Sequence, residues 1–200
     1  METIISEQLD TDEILHCALA ASEQKDHEQA IRLFKQYLMQ SPDGKGYLLL
    51  AAEHAEIGLY QRAIAEMKQA ITLDSSLWIA HFQLSLLYLI EQDIAQASTI
   101  WQQLMLSDAP QYFHYFAEGL LLIHQDQLAE GIGKLKQGIE LNNENLPLNN
   151  DINNIIQEVE SGKPAAVQLE QDALTTDNEQ NNDTNPSLNY LLLSRYNQDD

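Results

Sequence analysis

Two hundred residues, 44% of them hydrophobic, suffice for one domain with a sizeable core. Ten Lys and Arg against 31 Asp and Glu leave a formal charge of −21, which excludes a surface built to neutralise nucleic-acid phosphates or anionic lipid. The acidic start METIISEQLDTDEI is unlike a secretory signal, no run approaches the ~18 apolar residues of a membrane span, and a lone Cys17 builds no disulfide framework, so a cytoplasmic protein is expected.

After an N-terminal extension, residues 1–11, four blocks recur: DHEQAIRLFKQYLMQSP (26–42), LYQRAIAEMKQAITLDS (59–75), DIAQASTIWQQLMLSDA (93–109) and QLAEGIGKLKQGIELNN (127–143). Each carries a small residue at one register, Ala30, Ala63, Ala97 and Gly131, at steps of 33, 34 and 34. Four residues on stands a large apolar side chain, Phe34, Met67, Trp101 or Leu135, so each pair stacks on one helical face. Leu38, Ile71, Met105 and Ile139 continue that face before breakers such as Ser41-Pro42 and Ala109-Pro110 end the helix. A first helix precedes each block, and its small residue, Ala18, Ala51, Ser85 or Gly119, lets the two helices of a pair approach closely. The pattern predicts helix-turn-helix repeats over 12–43, 44–77, 78–110 and 111–143.

Beyond the repeats, Ile152, Ile155, Ile156 and Val159 fall at i, i+3, i+4 and i+7 and predict an amphipathic capping helix over 144–160, N-capped by Asn149, Asn150 or Asp151. Residues 161–187 contain TTDNEQNNDTNP, which has no aliphatic or aromatic side chain with which to offset its ordering entropy, so a flexible linker is expected. Apolarity returns in a tail, residues 188–200, where Leu188, Tyr190, Leu191, Leu192, Leu193 and Tyr196 precede an acidic end. Such a tail is expected to be covered by something.

The blocks resemble the tetratricopeptide repeat, a 34-residue helix-turn-helix with small residues at its eighth and twentieth positions and often a closing proline. The resemblance covers about residues 12–143. The chain departs from the pattern at Ile14 and Ala21, where large aromatics are usual, and at Gly131 and Gly138, which cost about 1 kcal/mol each relative to alanine inside a helix. The stretches WQQLMLSDAPQYFHYFAEGLLLI and GIELNNENLPLNNDINNII are similar, more narrowly, to a group of bacterial tetratricopeptide proteins with no assigned activity.

The resemblance implies an all-α, right-handed solenoid whose inner wall is formed by the first helix of each pair. Carried onto this chain, the family's inward register gives a peptide-binding groove of Leu15, Leu19, Leu48, Phe82, Leu86, Leu89, Phe113, Phe116 and Leu120, with the three phenylalanines as anchors. The family's Lys, Asn and Arg clamp for a terminal carboxylate would need polar side chains where Leu15, Leu19, Leu49, Ile79 and Gln83 stand. An amphipathic helix or an extended apolar segment is the ligand this wall implies, and the chain's own tail is one candidate for it.

Catalytic strings are missing. GIGK, residues 131–134, lacks the upstream glycine of a phosphate loop and falls inside a helix whose amides are already bonded. The histidines have no HExxH spacing, and His81 and His114, in first helices of adjacent repeats, read as packing residues rather than metal ligands. Cys17, beside Ala18, reads as a small buried hydrophobe. No metal, cofactor or enzyme activity is expected. The reading is a non-enzymatic adaptor or scaffold that binds another protein. A secretion-type chaperone is the alternative, and a regulatory subunit of an enzyme the remote one.

Overall fold

A computed structural model describes residues 10–161. The described residues form nine α-helices and no strand: α1 (Thr11–Glu23), α2 (His27–Gln40), α3 (Gly44–Glu56), α4 (Tyr60–Leu73), α5 (Trp78–Ile90), α6 (Ile94–Leu106), α7 (Gln111–His124), α8 (Leu128–Leu141) and α9 (Leu146–Glu160). They divide between Asp74 and Ser75 into two compact units, α1–α4 and α5–α9, and within each unit successive helices pack on one another. The N-terminal residues 1–9, the linker from 162 and the apolar tail lie outside the described residues.

In the first unit carboxylates start three of the four helices. Asp10 forms a capping box with Glu13, accepting the Glu13 amide at 2.8 Å while its own amide donates to Glu13 at 2.9 Å. Asp26 and Asp43 accept the amides of Gln29 and Gly46 and so cap α2 and α3. Asp43 also accepts the Tyr37 hydroxyl, which ties the end of α2 to the start of α3. Part of the acidic excess therefore serves orphan helix amides rather than a partner.

The small and large registers meet in the core of each unit. Ala18, Ala30, Ala51 and Ala63 are fully buried in the first, with Phe34 and Met67 beside them. In the second, Ser85 has two uses: it is small enough for α5 and α6 to close, and its hydroxyl accepts the Trp101 indole N–H at 2.9 Å while donating to the Phe82 carbonyl at 2.6 Å. A buried tryptophan is thereby satisfied. The glycines of α7 and α8 mark a still closer approach. A Cβ on Gly131 would stand 2.7 Å from the Gly119 carbonyl oxygen, and one on Gly138 would stand 2.5 Å from the Phe116 ring. The propensity lost in α8 is exchanged for contact.

A second period lies in the turns. Lys25, Gly58, Gln92 and Asp126 each adopt positive φ, at 59°, 73°, 57° and 64°, in the turn that joins the two helices of a pair. The following amide returns to the carbonyl five residues back in every case: Asp26 to Ala21, Leu59 to His54, Asp93 to Tyr88 and Gln127 to Leu122, over 2.7 to 2.9 Å. This is the bonding of a Schellman-type helix end, and one left-handed residue per pair reverses the chain.

The last helix starts earlier than Asn149–Asp151 suggested. Asn145 is the N-cap, its side chain accepting the Leu148 amide at 3.1 Å, and Pro147 sits in the first turn, where its missing N–H costs nothing. Ile152, Ile156 and Val159 are buried, as their spacing required, and Ile155 is half-buried.

Candidate functional site

The residues read as a groove separate into two kinds. In the first unit, Leu15 and Leu19 are half-exposed on α1, whereas Leu48 on α3 is buried. In the second, Leu89 on α5 is half-exposed and Leu86 and Leu120 are buried. The three phenylalanines require a correction. Phe82 and Phe116 are 0% exposed and Phe113 is 1% exposed, so they are core residues and present no surface to a ligand. The Phe82 ring lies 5.9 Å from both Phe113 and Phe116, and Tyr112 stacks on the same pair at 4.5 and 5.9 Å. Neighbouring first helices use these side chains to pack against each other, which is why the inward register closes on itself.

Cys17 is half-buried rather than buried. His81 turns to the Ser75 carbonyl at 3.2 Å and stacks beside Trp78, and burial pushes its pKa below the ordinary histidine value. Among the described residues no group of three or more His, Cys, Asp and Glu is arranged to hold a metal ion.

The first unit does hold a buried polar cluster, which local spacing does not reveal. Glu53 on α3 is 0% exposed and accepts the Ser22 hydroxyl at 2.6 Å, and its other oxygen lies 2.9 Å from His27 Nδ1. The next residue, His54, places Nδ1 2.5 Å from Glu66 on α4 and Nε2 3.4 Å from the Lys35 ammonium on α2. An ammonium group only donates, so Nε2 accepts and the ring hydrogen sits on Nδ1, facing Glu66. Close by, burial first and the Glu53 charge second push the Glu56 carboxyl up to about 8. The cluster joins all four helices of the unit. His54 is 1% exposed, and the arrangement is a clasp that ties the helices together.

A periodic set of apolar side chains also stands at the surface. Met39, Leu73, Leu106 and Leu141, in the last turns of α2, α4, α6 and α8, are 86%, 45%, 89% and 46% exposed. They follow the repeat period, and sequence reading passed over them because they adjoin the breaker residues.

Comparison with solved structures bears on the fold. A MamA crystal structure superposes with a TM-score of 0.55 at 18% identity, covering 66% of this chain and 77% of that one. A MamA RS-1 ArsTM double mutant gives 0.54 at 16% identity, over 76% of this chain and 85% of its own. At these identities the likeness shows an all-α repeat fold of tetratricopeptide type and nothing narrower. No protein-family model matches the sequence, and no curated protein is similar to it. No helix among the described residues is long and apolar enough to cross a membrane.

Proposed function

We propose that this chain is a non-enzymatic interaction scaffold that holds an apolar or amphipathic segment of another protein against the first helices of its repeats. The observation that carries the reading is the repeat fold itself. Small residues fill the interior of each helix pair, while Leu15 and Leu19 on α1 and Leu89 on α5 keep part of their apolar surface in water. Apolar surface left on first helices is a ready contact for a helical or extended ligand.

The chain's own tail is proposed as the first such ligand. A coil of 27 residues, the length from Ser161 to Ser187, has an r.m.s. span of about 30 Å, and that reach supports LNYLLLSRY as a ligand of first-helix surface. A synthetic LNYLLLSRY peptide, titrated against chain lacking residues 187–200, should bind, and it should bind the full chain several-fold more weakly because the tethered copy competes. Replacing Leu15, Leu19 and Leu89 by serine should abolish capture with helical content retained. Unaltered capture by that folded variant would remove the first helices as the binding face.

A further inference from the structure

The exposed leucines of the second unit sit in a different chemical setting from the first-helix surface, and their partner is legible from charge. Residues 75–161 carry eleven carboxylates and two Lys, with no Arg. Both lysines are already engaged: Lys134 with Glu118 at 2.9 Å and Lys136 with Glu160 at 3.2 Å. Among the described residues of the unit, no further Lys or Arg remains to neutralise Asp108, Glu140 and Glu144, which are all exposed.

Those carboxylates flank the exposed leucines. Short turns reverse the chain after every helix, so the α6–α7 corner, with Leu106 and Asp108, and the α8–α9 corner, with Glu140, Leu141, Glu144 and Leu146, lie at the same end of the unit. Helix α7 packs on both α6 and α8, which keeps the corners within about 20 Å of each other. Leu106, Leu141 and Leu146 are 89%, 46% and 54% exposed there.

The corners are also rigid. Asn142 donates to the Asn145 carbonyl at 2.8 Å and to Asn149 at 2.9 Å, and it accepts the Asn145 amide at 2.9 Å, all three asparagines being buried. At the other corner Ser107 donates to the Leu104 carbonyl at 2.8 Å and accepts the Ala109 amide at 3.2 Å. Hydrogen bonds, buried at one corner and part-buried at the other, thus hold the backbone where large apolar side chains face water, and a surface ordered beforehand loses little entropy on binding.

We infer that this end of the second unit docks a basic amphipathic helix, its leucine-type side chains seated on Leu106, Leu141 and Leu146 and its lysines or arginines facing Asp108, Glu140 and Glu144. About 13 residues of helix cover the distance between the corners. The inference goes beyond the first-helix reading and stands independently of it, because the two surfaces share no residue.

The test uses the full chain and a labelled peptide of about 14 residues in which Leu and Lys alternate with helical period, read by fluorescence anisotropy. The Leu/Lys peptide should bind, a Leu/Glu version should not, and binding should weaken about tenfold between ~50 mM and ~500 mM salt. Replacing Leu106, Leu141 and Leu146 together by serine should weaken it about tenfold, and so should Asp108→Asn with Glu140→Gln and Glu144→Gln. All six positions except part of Leu141 and Leu146 are solvent-facing, and circular dichroism checks that both variants keep their helices. Asp12→Asn with Glu23→Gln and Glu28→Gln removes the same charge from the first unit and should change binding less than about twofold. Equal weakening by that control would reduce the effect to net charge and overturn the inference, as would binding that survives both corner variants, or none at all. Tighter binding after deletion of residues 187–200 would make the tail the resident of this surface, and a dimer abolished by the leucine variant would make it a second copy; either result also overturns it.

Discussion

At the residue scale the fold rests on two sets of positions that obey one period for different reasons. The small-residue register was legible because close packing admits only a few side chains: Ala30, Ala63, Ala97 and Gly131 are buried against a large neighbour four residues on. The turn register was not legible, because Lys25, Gly58, Gln92 and Asp126 share a backbone conformation and no side-chain chemistry. Gly58 is suited to it and Asp126 tolerates it, whereas Lys25 and Gln92 carry about 1 kcal/mol or more of strain each. Gln92→Gly should therefore raise stability by about 0.5–1 kcal/mol, and Gly58→Ala should lower it by about 1 kcal/mol although its Cβ would meet open space. Denaturant titration distinguishes these from a contact effect, since Gln92 is exposed and Gly58→Ala adds no clash. Ala97→Leu, by contrast, overpacks a fully buried position and should cost about 1–3 kcal/mol, while Gln103→Ala, on exposed surface, should leave the melt unchanged. An Ala97→Leu variant as stable as its parent would mean that the small register does not mark helix contact.

At the element scale the capping helix shows what periodicity reads and what it misses. Four isoleucine or valine positions at helical spacing located α9, but Asp151 was read as a candidate N-cap and is instead an interior residue of the helix. Its carboxyl is 1% exposed, one oxygen has no hydrogen-bond partner, and burial pushes its pKa up to about 7 from the ordinary 3.8. The folded chain holds the neutral acid, whereas the unfolded chain ionises it above about pH 4. The favourable contribution is complete below pH 4 and is lost as pH rises through 7. Glu56, raised to about 8, acts in the same direction. Asp151→Asn should then melt close to the parent at pH 4 and several degrees above it at pH 8, because the amide never has to carry charge in the core. Comparing variant with parent at each pH cancels the general repulsion of a chain with formal charge −21, which also grows with pH. A parent that gains on the variant as pH rises would show that Asp151 is ionised and partnered in the native helix.

For the whole molecule, the all-α repeat architecture was legible because it recurs four times, and repetition exposes a pattern that any single copy leaves ambiguous. The site was less legible because one register serves two purposes. Inward positions of first helices read as ligand anchors when each repeat is taken alone, yet a neighbouring first helix of the same chain competes for the same side chains, and in the second unit it wins at Phe82, Phe113 and Phe116. Those rings belong to folding. Truncating a buried phenylalanine costs about 3–5 kcal/mol, so Phe82→Ala with Phe116→Ala should remove much of the stability of an ordinary domain instead of only a ligand contact. The expected result is a melting midpoint lowered by ten degrees or more, with hydrogen exchange accelerated first in α5, α7 and α8, where Phe82, Phe116 and the Gly138 contact of the Phe116 ring lie. A double variant that melts with its parent while losing only partner capture would put both rings at the surface and restore them as anchors. The leucines left in water, Leu15, Leu19 and Leu89 on the first helices and Leu106, Leu141 and Leu146 at the corners, are where substitution separates binding from folding, since each contributes exposed area and little of the core.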